Sequence, residues 1–198
     1  MDGARSQVAL TFDDGPGRST RALLDLLARH GAQATFFMVG SEALRDPGTA
    51  RAVVAAGHEV GSHSMRHLDH EAVSEAEAVA DMVEGAGAIA QVLGFEPPLY
   101  RAPYGHFVPA TVAEAHRRGW ACVHWSALGE DWLAEATPRS VFDLVVRDLG
   151  PGAIVLLHDS RREKPMNPEP VVGGTALLLE ELERRGLRAV GLRGMLEA

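Results

Sequence analysis

Residues 8–16, VALTFDDGP, give the clearest indication of the architecture of this protein. The apolar run at residues 8–12 predicts a β-strand. Asp13 and Asp14 follow it directly, and Gly15-Pro16 predicts a tight turn after them. A strand that ends in charged side chains is typical of α/β proteins, whose functional sites lie beyond the carboxyl ends of their parallel strands.

The same change from an apolar run to a helical pattern recurs along the whole chain. Apolar runs predict strands at residues 8–12, 34–39, 58–61, 99–101, 121–126, 153–158 and 189–192. Helical patterns predict helices at residues 20–30, 41–56 (interrupted near Pro47), 74–93, 109–118, 138–149 and 175–185. About seven strands alternating with helices predict one α/β domain with a parallel sheet, and a closed barrel and an open doubly wound sheet both fit. We expect residues 161–174 to form a long loop within it.

Composition excludes several classes of protein. A chain of 198 residues with 46% hydrophobic and 23% charged residues is typical of one globular domain. The formal net charge of -8, without a long basic run, argues against nucleic-acid binding. No apolar run of about 18 residues and no N-terminal signal core is present, so we expect no membrane span and a cytoplasmic location. A secreted protein whose leader is missing from this chain would look the same, and no feature indicates an obligate protein partner.

Polar residues follow five of the predicted strands. They are Asp13 and Asp14 after the first, His63 and His67 after the third, Arg101 and Tyr104 after the fourth, Asp131 and Trp132 after the fifth, and His158 after the sixth. Because the carboxyl ends of parallel strands meet at one edge, we expect these side chains to lie close together. One or two such residues would arise by chance, whereas five strand ends together predict a site.

A metal site is the first prediction for this edge. His63 and His67 are four residues apart, so both imidazoles face one way on a helical turn or compact loop. Asp14 is the natural third ligand, and this donor set suits a divalent cation. The histidine pair alone is a weak signal, but the aspartates at a neighbouring strand end favour metal binding. His70 is a rival ligand that we consider less favoured.

Two further residues suit proton transfer beside such a metal. Asp13 is adjacent to Asp14 and could collect a proton from water at the cation. His158 ends an apolar strand, where a histidine is more often a packed residue than a catalyst. Opposite a metal site it becomes a candidate acid for a leaving nitrogen, and Asp131 could hold its ring.

The strand-end motifs resemble those of a known family. The motifs are Thr11-Phe12-Asp13-Asp14-Gly15, His63-Ser64-Met65-Arg66-His67, Arg101-Ala102-Pro103-Tyr104-Gly105, Asp131-Trp132 and Leu156-Leu157-His158. In this order they resemble the five motifs of the polysaccharide deacetylases, the NodB-homology family or carbohydrate esterase family 4. The resemblance covers residues 8–192. It implies a distorted (β/α) barrel with seven parallel strands, as a single catalytic domain over residues 1–198.

The resemblance also implies the metal site and its base. It implies that Asp14, His63 and His67 bind one divalent metal ion. In the family this ion is commonly zinc, although cobalt, nickel or manganese can serve. It implies that Asp13 is the general base and that Arg101 orients it.

The remaining implied roles concern the substrate. His158 resembles the general acid and Asp131 the group that tunes it. The backbone N–H of Tyr104 resembles the oxyanion donor, and Trp132 and Leu156 resemble the walls of the pocket for the acetyl methyl group. The implied reaction is hydrolysis of the N-acetyl group of an amino sugar, whether polysaccharide, oligosaccharide or small glycoside.

Departures from the family pattern leave other functions open. Leu128 stands where the family often has an aspartate, which affects the expected substrate contacts, and Ala102 replaces a common proline. The alternatives are a hydrolase of another small amide or cyclic imide and, less favoured, a saccharide-binding homologue without catalysis. We expect His124 and Trp125 to belong to the core, and His106 is a candidate for substrate contact.

One further expectation concerns a thiol. Cys122 is the only cysteine in the sequence, so no disulfide can form within the chain. Because it lies in an apolar run, we expect it to be a buried, inert thiol.

Overall fold

Parallel strands curl around a common core in the computed structural model, which describes residues 6–160 and 167–196. In the described ranges, the strands are β1 (Gln7–Asp13), β2 (Thr35–Met38), β3 (Glu59–Ser62), β4 (Leu99–Tyr100), β5 (Ala121–Cys122), β6 (Ala127–Leu128), β7 (Ile154–His158) and β8 (Arg188–Val190). Seven of them follow the order β5-β4-β3-β2-β1-β7-β6, and β8 pairs with β1. This curled half-barrel confirms the predicted distorted (β/α) barrel with seven parallel strands.

Helices cover the outside of the sheet. In the same part of the chain they are α1 (Thr20–Arg29), α2 (Gly40–Arg45), α3 (Pro47–Ala55), α4 (Glu75–Leu93), α5 (Pro109–Arg118), α6 (Pro138–Arg147), α7 (Glu169–Arg185) and α8 (Leu192–Leu196). None of these helices combines the length and the apolar character needed to cross a membrane. The break predicted near Pro47 separates α2 from α3, and Asp46 caps α3 by accepting a hydrogen bond from the Thr49 backbone N–H at 3.0 Å.

The core forms around β1, because all seven of its residues are buried. Strand β1 pairs with β2 on one side and with β7 on the other. The leucines of α1 pack onto the same core, including Leu23 and Leu27, which are fully buried. A strand that is apolar on both faces is typical of a parallel sheet covered by helices, and this central position makes the end of β1 the middle of the sheet edge.

The predicted strand at residues 121–126 is wrong in its extent. Its first residues pair with β4 as β5, and residues 127–128 pair with β7 as β6, at the opposite end of the sheet order. Residues 123–126 cross between the two edges. Both residues of β5 are exposed at this edge, so the expectation of a buried Cys122 is also wrong.

The predicted long loop at residues 161–174 is wrong over its last part, because α7 begins at Glu169. Residues 161–166 lie outside the described residues. Gly174 allows α6 and α7 to approach closely, since a Cβ there would lie 2.7 Å from Cγ1 of Val141. The glycines and prolines of this segment suggested a loop, whereas Gly173 and Gly174 serve close helix packing and Pro170 lies in the first turn of α7.

Candidate active site

The carboxyl ends of the strands surround a cavity of about 830 Å³. Eight of the ten predicted site residues line it, namely Asp13, Asp14, His63, His67, Tyr104, Trp132, Leu156 and His158. The other two, Arg101 and Asp131, lie buried behind this lining and contact Asp13 and His158. The topology therefore brings all ten residues to one place.

The end of β1 places two carboxylates in the cavity. Asp13 is the last residue of the strand, and Asp14 turns the chain with a left-handed backbone, φ 76°. Gly15 lies against a buried carboxylate, because a Cβ at this position would come 2.1 Å from Oδ2 of Asp159. Only glycine fits this close approach, and the turn allows adjacent aspartates to contact different partners.

The three predicted metal ligands form one cluster. Oδ1 of Asp14 lies 3.2 Å from Nε2 of His67 and 3.6 Å from Nε2 of His63. The three ligand atoms lie within 4.8 Å of one another. Ligand atoms around a tetrahedral zinc ion are about 3.3 Å apart, given metal–ligand distances of about 2.0–2.1 Å. The spacing thus fits a divalent cation.

The hydrogen bonds around this cluster also fit a cation. Nδ1 of His63 donates to the carbonyl oxygen of Arg101 at 2.8 Å, so the lone pair of His63 lies on Nε2, toward Asp14. Burial lowers the pKa of His63 to about 3, which keeps the imidazole neutral. Oδ1 of Asp14 is buried and has no hydrogen-bond donor among the described residues. A buried carboxylate oxygen facing two imidazole nitrogens is the arrangement that a metal ion satisfies.

Asp13 is held by a buried guanidinium. Nη1 of Arg101 donates to Oδ1 of Asp13 at 2.7 Å and to Oγ1 of Thr11 at 2.8 Å. Arg101 is fully buried and packs 4.1 Å above the ring of Phe37. Burial raises the pKa of Asp13 above its ordinary value, although the Arg101 charge opposes this. The second oxygen, Oδ2, lies 3.6 Å from Nε2 of His63, so a fixed carboxylate faces the metal cluster.

His158 lies on the strand beside Asp13. The two residues are register partners in the parallel pair of β1 and β7. Nδ1 of His158 lies 3.0 Å from Oδ1 of Asp131, and the backbone N–H of His158 donates to Oδ2 of the same carboxylate at 2.9 Å. Burial disfavours a charged imidazole, but the carboxylates of Asp131, Asp14 and Asp13 raise the pKa of His158 to about 9. His158 is therefore an imidazolium, protonated on both ring nitrogens, at neutral pH.

An apolar wall and an exposed tyrosine complete the cavity. Leu156 on β7 is the register partner of Leu128 on β6, and both line the cavity. The ring of Trp132 stands edge-on to His158 at 5.0 Å between centroids. Tyr104 has a left-handed backbone, φ 58°, and its half-exposed ring contacts His67 edge-on at 4.7 Å. The departure at Leu128 thus makes the wall beside the reacting groups more apolar.

The structure corrects the expectation for two residues near the site and agrees with that for two others. His124 and Trp125 do not belong to the core, because His124 is exposed and Trp125 lines the cavity. Their rings stack on each other at 4.0 Å between centroids. Both lie in the segment that crosses between the two sheet edges. The rival ligand His70 is buried behind the metal loop, where Nδ1 lies 3.2 Å from the hydroxyl of Tyr100. His106 lines the cavity, as a substrate contact requires.

The chain is similar to known proteins in sequence and in fold. Residues 2–123 match the family described as polysaccharide deacetylase. A chitooligosaccharide deacetylase of Bradyrhizobium sp. (strain ANU 289) is 36% identical over 195 residues, covering 94% of this chain and 88% of that protein. A peptidoglycan-N-acetylglucosamine deacetylase of Bacillus cereus is 35% identical over 192 residues, covering 96% of this chain and 87% of that protein.

A solved structure shows the same likeness in three dimensions. The family 4 carbohydrate esterase from Streptomyces lividans, in complex with acetate, superposes with a TM-score of 0.81 at 31% identity, covering 93% of this chain and 91% of that one. The chain belongs to the polysaccharide deacetylase family, carbohydrate esterase family 4.

Proposed function

We propose that this protein is a metal-dependent hydrolase that removes N-acetyl groups from amino sugars. The observation that supports it most directly is the position of Asp13 and His158 on neighbouring strands beside the cluster of Asp14, His63 and His67. A divalent cation held by that cluster would supply a Lewis acid that polarises the acetyl carbonyl and makes water more acidic. Zinc suits two imidazoles and a carboxylate, and cobalt, nickel and manganese are the other candidates.

The attack on the acetyl group needs a base with a fixed direction. Asp13 accepts a proton from the attacking water, whose oxygen bonds to the acetyl carbon. Arg101 holds one oxygen of Asp13, so the other remains directed at the cluster. The backbone N–H of Tyr104 is the proposed donor to the oxyanion that develops on the acetyl oxygen.

The departure of the amine requires an acid that protonates the sugar nitrogen. His158 donates its Nε2 proton to the sugar nitrogen as the C–N bond breaks, and acetate and the free amine are the products. Asp131 fixes Nδ1 of His158 as the other protonated nitrogen and stabilises the imidazolium. Trp132 and Leu156 form an apolar surface that suits the acetyl methyl group.

The proposed substrates are N-acetylglucosamine units of chitooligosaccharides or of peptidoglycan. This follows from the names of the two relatives, which match almost the whole chain. A second candidate is hydrolysis of another small amide or a cyclic imide, which is favoured by the apolar contribution of Leu128 to the cavity. Release of acetate and free amino sugar from N-acetylglucosamine oligomers would separate the two functions.

The proposal is tested with the Asp13→Asn variant. We expect acetate release from chitooligosaccharides to fall by at least about 10²-fold, because the amide cannot accept the proton from water. Metal content should stay at the wild-type level, because Asp14, His63 and His67 are unchanged. Asp25→Asn on α1 is the matched control, since it removes an exposed carboxylate outside the cavity. Full activity of Asp13→Asn would refute the assignment of the base.

A further inference from the structure

One positively charged side chain that lines the cavity, that of Arg66, has no part in the reaction described above. Arg66 lies on the metal loop between His63 and His67, and its side chain is 49% exposed. Of the described residues that line the cavity, it alone has a guanidinium or ammonium group. Because arginine keeps its charge at every working pH, this is a permanent positive charge beside the metal cluster.

The orientation of Arg66 is set by a buried carboxylate. The backbone N–H and Nε of Arg66 both donate to Oδ1 of Asp81, each at 3.0 Å. Asp81 is fully buried on α4, and its carbonyl oxygen accepts a hydrogen bond from the Met65 backbone N–H at 2.9 Å. The stem of the guanidinium is therefore fixed before any ligand arrives, which lowers the entropic cost of binding.

The rest of the guanidinium remains available to a ligand. The hydrogen bonds described for the Arg66 side chain use Nε alone, so the terminal nitrogens still offer four N–H donors. A planar pair of donors matches the two oxygens of a carboxylate or a phosphate better than it matches a neutral hydroxyl. The cavity is also lined by three carboxylates, each of which has another partner: Asp13 pairs with Arg101, Asp14 belongs to the metal cluster, and Glu42 pairs with Arg45.

We propose that Arg66 binds an anionic group, a carboxylate or a phosphate, that is attached to the N-acetylated sugar or to its neighbour in the chain. This inference rests on the proposed function, because it concerns the specificity of the same site. Arg66 is one residue away from His67, so the anion lies on the sugar at the metal or on the adjoining unit. The residue determines specificity and does not take part in the bond-breaking steps.

Two pairs of substrates test the inference. Methyl glycosides of N-acetylmuramic acid and N-acetylglucosamine differ by a lactyl ether at O3 that carries one carboxylate. N-acetylglucosamine 1-phosphate carries a phosphate where methyl N-acetylglucosaminide carries a methyl group. We expect the metal-loaded wild type to favour the anionic member of at least one pair by about tenfold in kcat/KM for acetate release. The pair that shows the preference identifies which anion the site takes.

Variants of Arg66 assign the preference to this residue. In Arg66→Gln the ratio of kcat/KM for the anionic and neutral members should fall to about one, because both the positive charge and the planar pair of donors are lost. In Arg66→Lys part of the ratio should remain, because the charge is kept. Arg117→Gln on α5 is the matched control, since it removes an arginine that is 66% exposed and pairs with Glu114 outside the cavity. Its ratio should equal that of the wild type.

The outcomes distinguish this inference from the proposed function. Equal losses on both members of a pair in Arg66→Gln would show that Arg66 only supports the metal loop, and metal content would fall in parallel. A wild type that releases acetate from both members without preference would overturn the inference and leave the proposed function standing. A wild type that releases acetate from N-acetylglucosamine oligomers but from none of these sugars would overturn the inference alone. A wild type that releases no acetate from the oligomers either would overturn both.

Discussion

Asp14 shows how a single backbone angle creates the site. Its left-handed φ of 76° directs its carboxylate to His63 and His67, while Asp13, one residue earlier, contacts Arg101. Left-handed backbone is unfavourable for most residues and occurs where the surrounding structure imposes it. The close packing of Gly15 against Asp159 is such a constraint. Two adjacent aspartates can therefore serve a metal ion and a proton at the same time.

The pKa of His158 gives a prediction that depends on a single neighbouring residue, Asp131. The carboxylate of Asp131 is the leading contribution that raises this pKa, against the opposing effect of burial. In Asp131→Asn that pKa should fall, so His158 loses its proton at lower pH. We expect the alkaline limb of the kcat/KM profile for acetate release to shift to lower pH by about one unit or more.

The pH profile of a control completes that experiment. Asp25→Asn makes the same change of formal charge on the exposed side of α1 and should keep the wild-type profile. An unchanged alkaline limb in Asp131→Asn would contradict the assignment of His158 as the acid that Asp131 tunes.

At the scale of helices and strands, close packing explains what local patterns missed. Gly174 lies in α7 against Val141 of α6, and no local signal distinguishes this glycine from one in a loop. The crossing at residues 123–126 was also missed because it depends on distant contacts. Its apolar composition predicts a strand, and only the strands with which its two ends pair show that the chain crosses there. Its ends pair with β4 and β7, which are far apart in sequence.

Two helical glycines give opposite predictions for stability. In Gly174→Ala the new Cβ would lie 2.7 Å from Val141, so we expect the free energy of unfolding to fall by about 1–3 kcal/mol through overpacking. In Gly87→Ala on α4 the Cβ meets nothing within 4 Å, so the higher helix propensity should raise the same free energy by about 0.5–1 kcal/mol. Urea denaturation of both variants measures the two changes. Equal effects would show that the contact between α6 and α7 is looser than the structure has it.

The whole molecule is organised around one sheet edge. Residues from the first β-strand to the seventh meet there, so the site exists only when the half-barrel is complete. A cation bound by Asp14, His63 and His67 therefore binds the folded protein in preference to the unfolded chain. Metal binding and folding are linked for this reason.

Removal of metal gives the prediction for the whole molecule. We expect the protein stripped with a chelator to unfold at a lower temperature than the zinc-loaded protein. A free zinc concentration of 100 times Kd corresponds to about 2.7 kcal/mol of stabilisation. Differential scanning calorimetry with zinc added back measures the shift. The His67→Ala variant should show a much smaller response to zinc, and a wild type indifferent to zinc would contradict the metal site.

The order of elements and the strand-end motifs were predictable from the chain alone. Both depend on short-range patterns: apolar periodicity marks the strands, and Asp13-Asp14-Gly15 or the spacing of His63 and His67 can be recognised within a few residues. The parallel sheet then follows, because alternating strands and helices leave few topologies in which every apolar face is covered.

Only the tertiary structure decided that Trp125 and Arg66 also face the cavity. Trp125 lines it because residues 123–126 leave one sheet edge for the other, and Arg66 lines it because buried Asp81 holds its stem. Both positions depend on contacts between residues distant in the chain. Local sequence patterns contain no record of such contacts, since the same residues would pack differently against other neighbours.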